Sequence, residues 1–504
     1  MPRKGFERVR TGCITCKARK VKCDEGRPQC LRCKTSGRIC EGFRAPPLGS
    51  LSWSSLLQVR PSTIPVSESS STELRSLDFF RCIIAPALTS PLGNSFWTNP
   101  VCQLAIQEPA ARFAVLAVSL LYERFDPSAD DSSTLVENVL ALRYYNKAIR
   151  EVATSKRLDA DTTLLISILF ICIEFLRGNT SLAIEHCRHG LLILRSMDHP
   201  SPDISGIMNH LRIFPFFFGA TIADFPLLQY LEYPQNRIHN LSEALGTLDC
   251  LMSKCVSILR AFDPFRIGAV GMAELPSSLF LMQQELGQEL DVWHAIFSKM
   301  ADDLEQNDEN QTHIRLLRAR WHVCKVWLQI SSHRDEMFSD TFRAQFERIV
   351  ELARAEASRT RLSGTERSGF FKFEMGLAPL LYFVVIKCRF LELRLEAWSL
   401  LRIVGHAKES LWDTKLLQAS GKRVIEREHR IELPQWPPKC WWESASLEYT
   451  LPSDSQRIRD SYIEDETETL VGYDGSRMMR RKIFFFVPLG AQKELQKVQD
   501  WIYL

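Results

Sequence analysis

The sequence predicts a mainly α-helical protein: a small, metal-held cysteine module, a flexible linker and a large all-α helical body. Three observations predict it, namely a cysteine pattern written twice near the amino terminus, a Ser/Pro-rich stretch after it, and long apolar runs at helical spacing beyond. In "CITCKARKVKCDEGRPQCLRCKTSGRIC", Cys13, Cys16 and Cys23 are repeated as Cys30, Cys33 and Cys40, seventeen places on. The 504 residues are 45% hydrophobic and 24% charged, enough to bury one large core or two. The start, "MPRKGFERVRTG", is charged and lacks the apolar run of a signal peptide. "LLISILFICI", Leu164 to Ile173, falls short of the ~20 residues of a membrane span and is closed by Glu174. An intracellular, soluble chain with no membrane partner is expected. Thiols stay reduced there, so six close cysteines read as metal ligands rather than disulfides.

Counting sets the metal stoichiometry. Zinc prefers four thiolates in a tetrahedron, and two separate sites would need more ligands than the six present. Sharing resolves the shortfall: with Cys13 and Cys30 bridging, one ion holds Cys13, Cys16, Cys23 and Cys30 and the other Cys13, Cys30, Cys33 and Cys40. A single four-cysteine zinc with two spectators would leave the repeat unexplained. So short a segment has little apolar core, and two Zn(2+) would supply its folding free energy.

These residues resemble the fungal Zn(II)2Cys6 binuclear-cluster transcription factors. The likeness rests on the spacing, on the basic "KARKVK" between the second and third cysteines, on Cys23-Asp24, and on Pro28 two places before the fourth cysteine. The resemblance implies two short helices, one after each CxxC, joined by a proline-bearing loop. It further implies that the first helix enters the DNA major groove, with Arg19 and Lys20 contacting bases at a CGG-like triplet. The implied role is nuclear, sequence-specific regulation of transcription by RNA polymerase II.

Charge supports a nucleic-acid partner independently. Residues 1–44 carry thirteen Lys and Arg against four Asp and Glu, a surplus of nine, whereas the whole chain is only +3 and the remainder therefore −6. Two zinc ions on six thiolates leave the module near +7. That is the footprint of a phosphate-backbone binder. Arg or Lys on guanine O6 and N7 is the commonest specific base contact, so a guanine-containing duplex is the expected target. Arg10, Lys17, Lys22 and Lys34 suit phosphate contacts, while Arg3 and Lys4, furthest from the cluster, read as solvated charges. The rival reading is a helical scaffold whose zinc module contacts protein or RNA.

The organisation expected is a DNA-binding domain over 1–44, a linker over 45–73, a helical regulatory domain over 74–432 and a tail over 433–504. Pro46, Pro47, Pro61 and Pro65 interrupt any coiled-coil heptad between residues 41 and 80. The chain therefore binds DNA as a monomer or forms a homodimer through its helical domain. Helices are predicted over Pro109 to Phe125, with Phe113, Leu116, Leu120 and Leu121 on one face, and over Leu140 to Val152, Thr162 to Gly178 and Ser181 to Met197. A second block starts near Asp291, with one long helix from Leu377 to Val404 and another within Glu409 to Leu433. Their lengths favour stacked antiparallel helices. Phe96-Trp97, Pro109 to Ala117 and Pro379 to Trp412 with Asp413 resemble the fungus-specific regulatory domain that accompanies such clusters, over roughly residues 74 to 432, with 201–290 matching least.

No HExxH, GxSxG, GxGxxG or phosphate loop is present, so no catalytic residue is expected and the chain is not read as an enzyme. His186 and His189, spaced around Cys187 without a carboxylate, read as a helix face, and the nine further cysteines as buried free thiols. The aromatic "RIFPFFFG" reads as core, with an enclosed small effector as an alternative by analogy. In the tail, "SYIEDETETLVGYDG" reads as a solvated acidic loop, with contact to transcription machinery as the alternative, and "RRK" at Arg480 to Lys482 or the cluster's basic residues as a nuclear signal.

Overall fold

The computed structural model describes residues 12–24, 26, 29–42, 71–88, 96–123, 134–155, 158–220, 238–304, 308–362, 371–434, 450–471, 477–489 and 494–504. Most of the predicted linker, the carboxyl-terminal part of the predicted Pro109 to Phe125 helix, Arg10 and Cys440 lie outside these residues.

The cysteine module holds two five-residue helices, α1 (Ile14–Ala18) and α2 (Leu31–Thr35), offset by the seventeen residues of the repeat. The body is built of helices. Its first, α3 (Ser71–Phe79), begins within the last residues of the predicted linker and runs on through a π turn into α4 (Ala85–Leu88). After α5 (Cys102–Gln107), α6 (Pro109–Tyr122) is opened by its proline and is buried almost all round, not on the single face the spacing suggests. It packs against α7 (Thr134–Thr154) and α8 (Ala160–Arg177).

Local chemistry sets the α8–α9 reversal. The Asp159 carboxylate accepts from Thr162 N at 2.8 Å to start α8. Gly178, at φ +72, ends it, and the Asn179 side chain accepts from Leu182 N at 3.1 Å to open α9 (Thr180–Arg195). A two-residue turn thus lays α9 back along α8.

After α10 (Pro202–Leu211) and the short α11 (Phe214–Phe217), the second block starts with α12 (Leu241–Arg266) and α13 (Ser277–Leu304), well before Asp291. Buried polar residues hide α12 in the sequence. Asp249 on it is 2% exposed, yet it lies 3.1 Å from Arg320 and 2.8 Å from His210. Next come α14 (Asp308–Ile330) and α15 (Arg343–Leu362).

The single helix predicted from Leu377 to Val404 is two, α16 (Ala378–Lys387) and α17 (Leu391–Val404), with Cys388 and Phe390 extended between them. Arg389 at the break is fully buried. It donates to Lys387 O at 2.7 Å and ion-pairs with Glu336 and Glu428 at 3.2 Å each. Apolar periodicity runs through this segment, but the arginine's distant carboxylates decide the backbone. Two-residue strands β1 (Phe371–Lys372), β2 (Lys408–Glu409) and β3 (Trp412–Asp413) form a small sheet, and Asp413 caps α18 (Thr414–His429).

The tail departs most from expectation. The predicted acidic loop is strand β4 (Asp460–Val471), paired antiparallel with β5 (Arg477–Leu489), which pairs in turn with β6 (Glu494–Tyr503). Ile483, Phe485 and Ile502 pack with Val424 of α18 and with Ile458. Across the other strand positions Glu468 meets Arg480 at 2.9 Å, and Arg480 covers the Trp501 ring at 3.7 Å. Charge pairing replaces apolar alternation along much of β4, so the strand carries little hydrophobic signal. The "RRK" candidate lies within β5.

Candidate metal centre and nucleic-acid interface

Each half-repeat begins with a cysteine that caps its own helix. Cys13 Sγ accepts from Cys16 N and Cys30 Sγ from Cys33 N, both at 3.3 Å, which turns the CxxC spacing into a helical first turn with both sulfurs on one side. The six thiols converge as two groups, Cys13, Cys16, Cys23, Cys30 and Cys13, Cys30, Cys33, Cys40, with the sulfurs of each group within 4.8 Å of one another. The groups share Cys13 and Cys30, the first cysteine of each half.

The spacing tests the fit of a metal. Four sulfurs at ~2.3 Å from a tetrahedral zinc stand about 3.8 Å apart. Here Cys13 Sγ lies 3.7 Å from Cys30 Sγ and 3.8 Å from Cys33 Sγ, and Cys16 Sγ lies 3.7 Å from Cys30 Sγ. Burial pushes the thiols of Cys13, Cys16, Cys30 and Cys33 up, while backbone N–H groups at Cys30 and Gly42 hold Cys40 down at about 7. Only a cation would keep the whole set as thiolates. The donor set fits zinc, and the module has little else to fold around: its buried apolar cluster consists of five of these cysteines.

Two residues that support this core were not singled out as such in the sequence. The Asp24 carboxylate accepts from Leu31 N at 2.8 Å and Arg32 N at 2.9 Å, fixing the start of α2; these N–H groups, Arg32 first, hold its carboxyl below the usual range. Thr15 Oγ1 donates to Ile39 O at 3.2 Å and accepts from Glu41 N at 3.0 Å, tying the end of the module to α1. An acid next to a cysteine and seven residues before a CxxC helix is the local signal for the first. Thr15 has none. At Gly12 a Cβ would stand 2.9 Å from Cys23 Cβ, so the chain enters the core where only glycine fits.

Of the predicted DNA contacts, Lys17, Lys20, Lys22 and Lys34 are exposed on the module. Arg19 ends α1 and donates through Nη1 to Ser36 Oγ at 3.1 Å, linking the ends of the two helices. Lys20 has a left-handed backbone, φ +56; its counterpart seventeen residues on is Gly37, φ +63.

Residues 11–49 match the fungal Zn(2)-Cys(6) binuclear cluster domain. The cysteine module is a fungal Zn(2)-Cys(6) cluster domain. The chain is 26% identical to the aspercryptin biosynthesis cluster-specific transcription regulator atnN of Emericella nidulans, over 62% of the chain and 58% of that protein. It is 31% identical to the Zn(2)-C6 fungal-type transcription factor afumD of Aspergillus fumigatus, over 33% of the chain and 47% of that protein. To the transcriptional regulatory protein moc3 of Schizosaccharomyces pombe it is 48% identical over 42 residues, 8% of each chain. The chain spans about half the length of the curated relatives it matches first. The likeness to atnN extends over 358 residues, far more than the cluster domain holds. No solved structure matches the chain.

Among the described residues, candidate ligands outside the six-cysteine group do not converge. His186 Nε2 lies 2.7 Å from Tyr145 Oη and burial lowers its pKa to about 4, whereas His189 Nε2 lies 3.2 Å from Glu185. Cys172, Cys187, Cys250, Cys255, Cys324 and Cys388 are buried free thiols, while Cys82 is exposed and Cys102 partly so. Phe214 and Phe216 of the aromatic run are buried, and Phe217 and Phe218 pack on Trp412. Among the described residues no helix is long and apolar enough to cross a membrane.

Proposed function

We propose that this chain is a zinc-dependent, sequence-specific DNA-binding regulator of RNA polymerase II transcription, acting in the nucleus and not an enzyme. Two zinc ions, each held by four thiolates with Cys13 and Cys30 bridging, would fix α1 and α2 and supply the module's folding free energy. The first helix reads a guanine-containing, CGG-like site in the major groove. Arg19, which spends one of its five donors on Ser36, has others for a base. Lys17, Lys22 and Lys34, and Arg10 ahead of them, seat the module on phosphates. The helical body controls activity and any pairing of two chains.

The observation that carries this reading is Lys20. In the second half of the repeat the left-handed position is filled by glycine, the residue that adopts it without penalty. The first half keeps a lysine there, at a cost of about 1–2 kcal/mol. Backbone strain around an exposed cation supports a role for that side chain outside the fold. Lys20→Gly relieves the strain while removing the charge, so zinc content and thermal midpoint are expected to hold or rise. Affinity for the selected site is expected to fall about 5- to 150-fold, the ~1–3 kcal/mol of one base contact, with a much smaller loss on scrambled duplex. Equal losses on both duplexes in a binding titration would reject base reading by Lys20.

The overall test is selection from random duplex DNA by the zinc-loaded full chain. Enrichment of a guanine-bearing triplet, with affinity falling steeply as salt rises, is the expected result. Single sites indicate a monomer, and pairs at fixed spacing indicate a homodimer formed through the helical body. No enrichment at two zinc per chain would favour a scaffold whose cluster contacts protein or RNA.

A further inference from the structure

We infer that the helical body binds a small organic anion, a carboxylate bearing one aromatic ring or an apolar group of that size, in a cavity between α12, α14, α16 and the segment entering β4. The cavity measures about 170 Å³. An engineered cavity of ~150 Å³ holds benzene, so this one accommodates a single ring with a short polar arm.

Its walls have two characters. Phe217, Trp327, Phe383 and Trp412 line one part, with Trp327 edge-on to Phe383 at 5.4 Å between ring centroids and Phe217 edge-on to Trp412 at 5.7 Å. Four cations, Arg260, Arg266, Lys387 and Arg459, line another. Carboxylates do not match them one for one. Asp263 serves both Arg260 and Arg266, at 2.9 Å each. Glu336 serves both Lys387, at 2.8 Å, and Arg389, at 3.2 Å. The acid in the lining is Asp460, which is exposed.

Arg459 carries the argument furthest. It is 9% exposed, and its Nη2 lies 2.7 Å from both oxygens of Asp454. Its Nη1 is buried and meets no hydrogen-bond partner among the described residues. Arg459 thus lines the cavity beside Arg260, Arg266 and Lys387 with its charge shared with one carboxylate, and among these cations a ligand carboxylate is the group whose charge and planar geometry suit the site. The aromatic wall supplies the apolar contact that a simple inorganic anion would not use. Because Lys387 Nζ also donates to Arg459 O at 3.2 Å, a ligand here would touch both the helical body and the strand segment at their junction.

The test titrates the zinc-loaded full chain with benzoate, phenylacetate and the neutral benzamide, read by tryptophan fluorescence and by thermal midpoint. Saturable binding of at least one carboxylate is expected, with a raised midpoint and an affinity at least ten-fold above that of benzamide. Trp412→Phe should reduce the fluorescence change. Arg459→Met should weaken carboxylate binding at least ten-fold and leave benzamide unchanged. Met375→Phe narrows the cavity without altering charge and should weaken both classes, which keeps the test open if Arg459→Met fails to fold. The inference is overturned if neither carboxylate saturates, if benzamide binds as tightly, or if Met375→Phe binds as the parent does.

Discussion

Cys30→Ala is expected to strip the chain of all cluster zinc, from about two ions to none, and to unfold the module. Cys30 belongs to both four-cysteine groups, so its loss leaves each with three sulfurs. It also removes the acceptor that caps α2, since Cys33 N donates to Cys30 Sγ. Structural zinc contributes on the order of 10 kcal/mol or more to a small domain's folding, far above what residues 12–42 could bury without it. Cys40→Ala is the control: it spoils one group and leaves Cys13, Cys16, Cys23 and Cys30 intact, so about one ion per chain should remain. Metal content by mass spectrometry, with chelator-driven release, separates the two. A full zinc retained by Cys30→Ala would sink the shared-ligand arrangement. Site-specific duplex binding is expected to disappear with the metal, since Lys17 lies on the helix that Cys13 caps and Lys20 just beyond its end.

The cysteine module was legible because its determinants are local. A CxxC places two sulfurs on one helical turn, and a repeat of seventeen residues places the second turn against the first. The helices of the body were legible where apolar spacing and caps coincide, as at Pro109 and at Asp159 with Gly178. What could not be read depends on partners far along the chain. Nothing near Arg389 announces that a helix must stop there for its guanidinium to reach Glu336 and Glu428. Asp249 looks like a surface residue until Arg320 and His210 are brought to it. The carboxyl-terminal sheet shows the same effect: β4 is held by Arg480 and Lys482 across the ladder, so its acids, taken alone, suggested solvent.

Glu428→Ala is expected to cost about 3–5 kcal/mol and to loosen the sheet from the helical body. Glu428 is 1% exposed and lies 3.2 Å from Arg389 and 2.6 Å from Arg394, both fully buried. Its Oε1 also accepts from Ile458 N at 2.7 Å, two residues before β4 begins. Removing the carboxylate leaves two guanidiniums in the interior short of an acceptor and frees the strand that enters the sheet. Hydrogen exchange should accelerate in β4, β5 and β6 before it does in α6 and α8, and unchanged exchange there would deny the carboxylate its anchoring role. Acid should mimic the substitution. Burial alone would raise both carboxyls, but Arg389 and Arg394 hold Glu428 below its ordinary value, and Lys387 and Arg389 hold Glu336 at about 2. Folded pKa values below the unfolded ones mean that this stabilisation is fully present above about pH 4.5 and is lost as pH falls through the folded values. The cost is that of stranding charge, not of losing a favourable pair. Arg389→Met, Arg394→Met and Glu428→Leu together should therefore recover most of the stability that Glu428→Ala loses. If the triple variant is as unstable as the single one, geometry imposed by the ions, above all the break between α16 and α17 at Arg389, is what the fold requires of them.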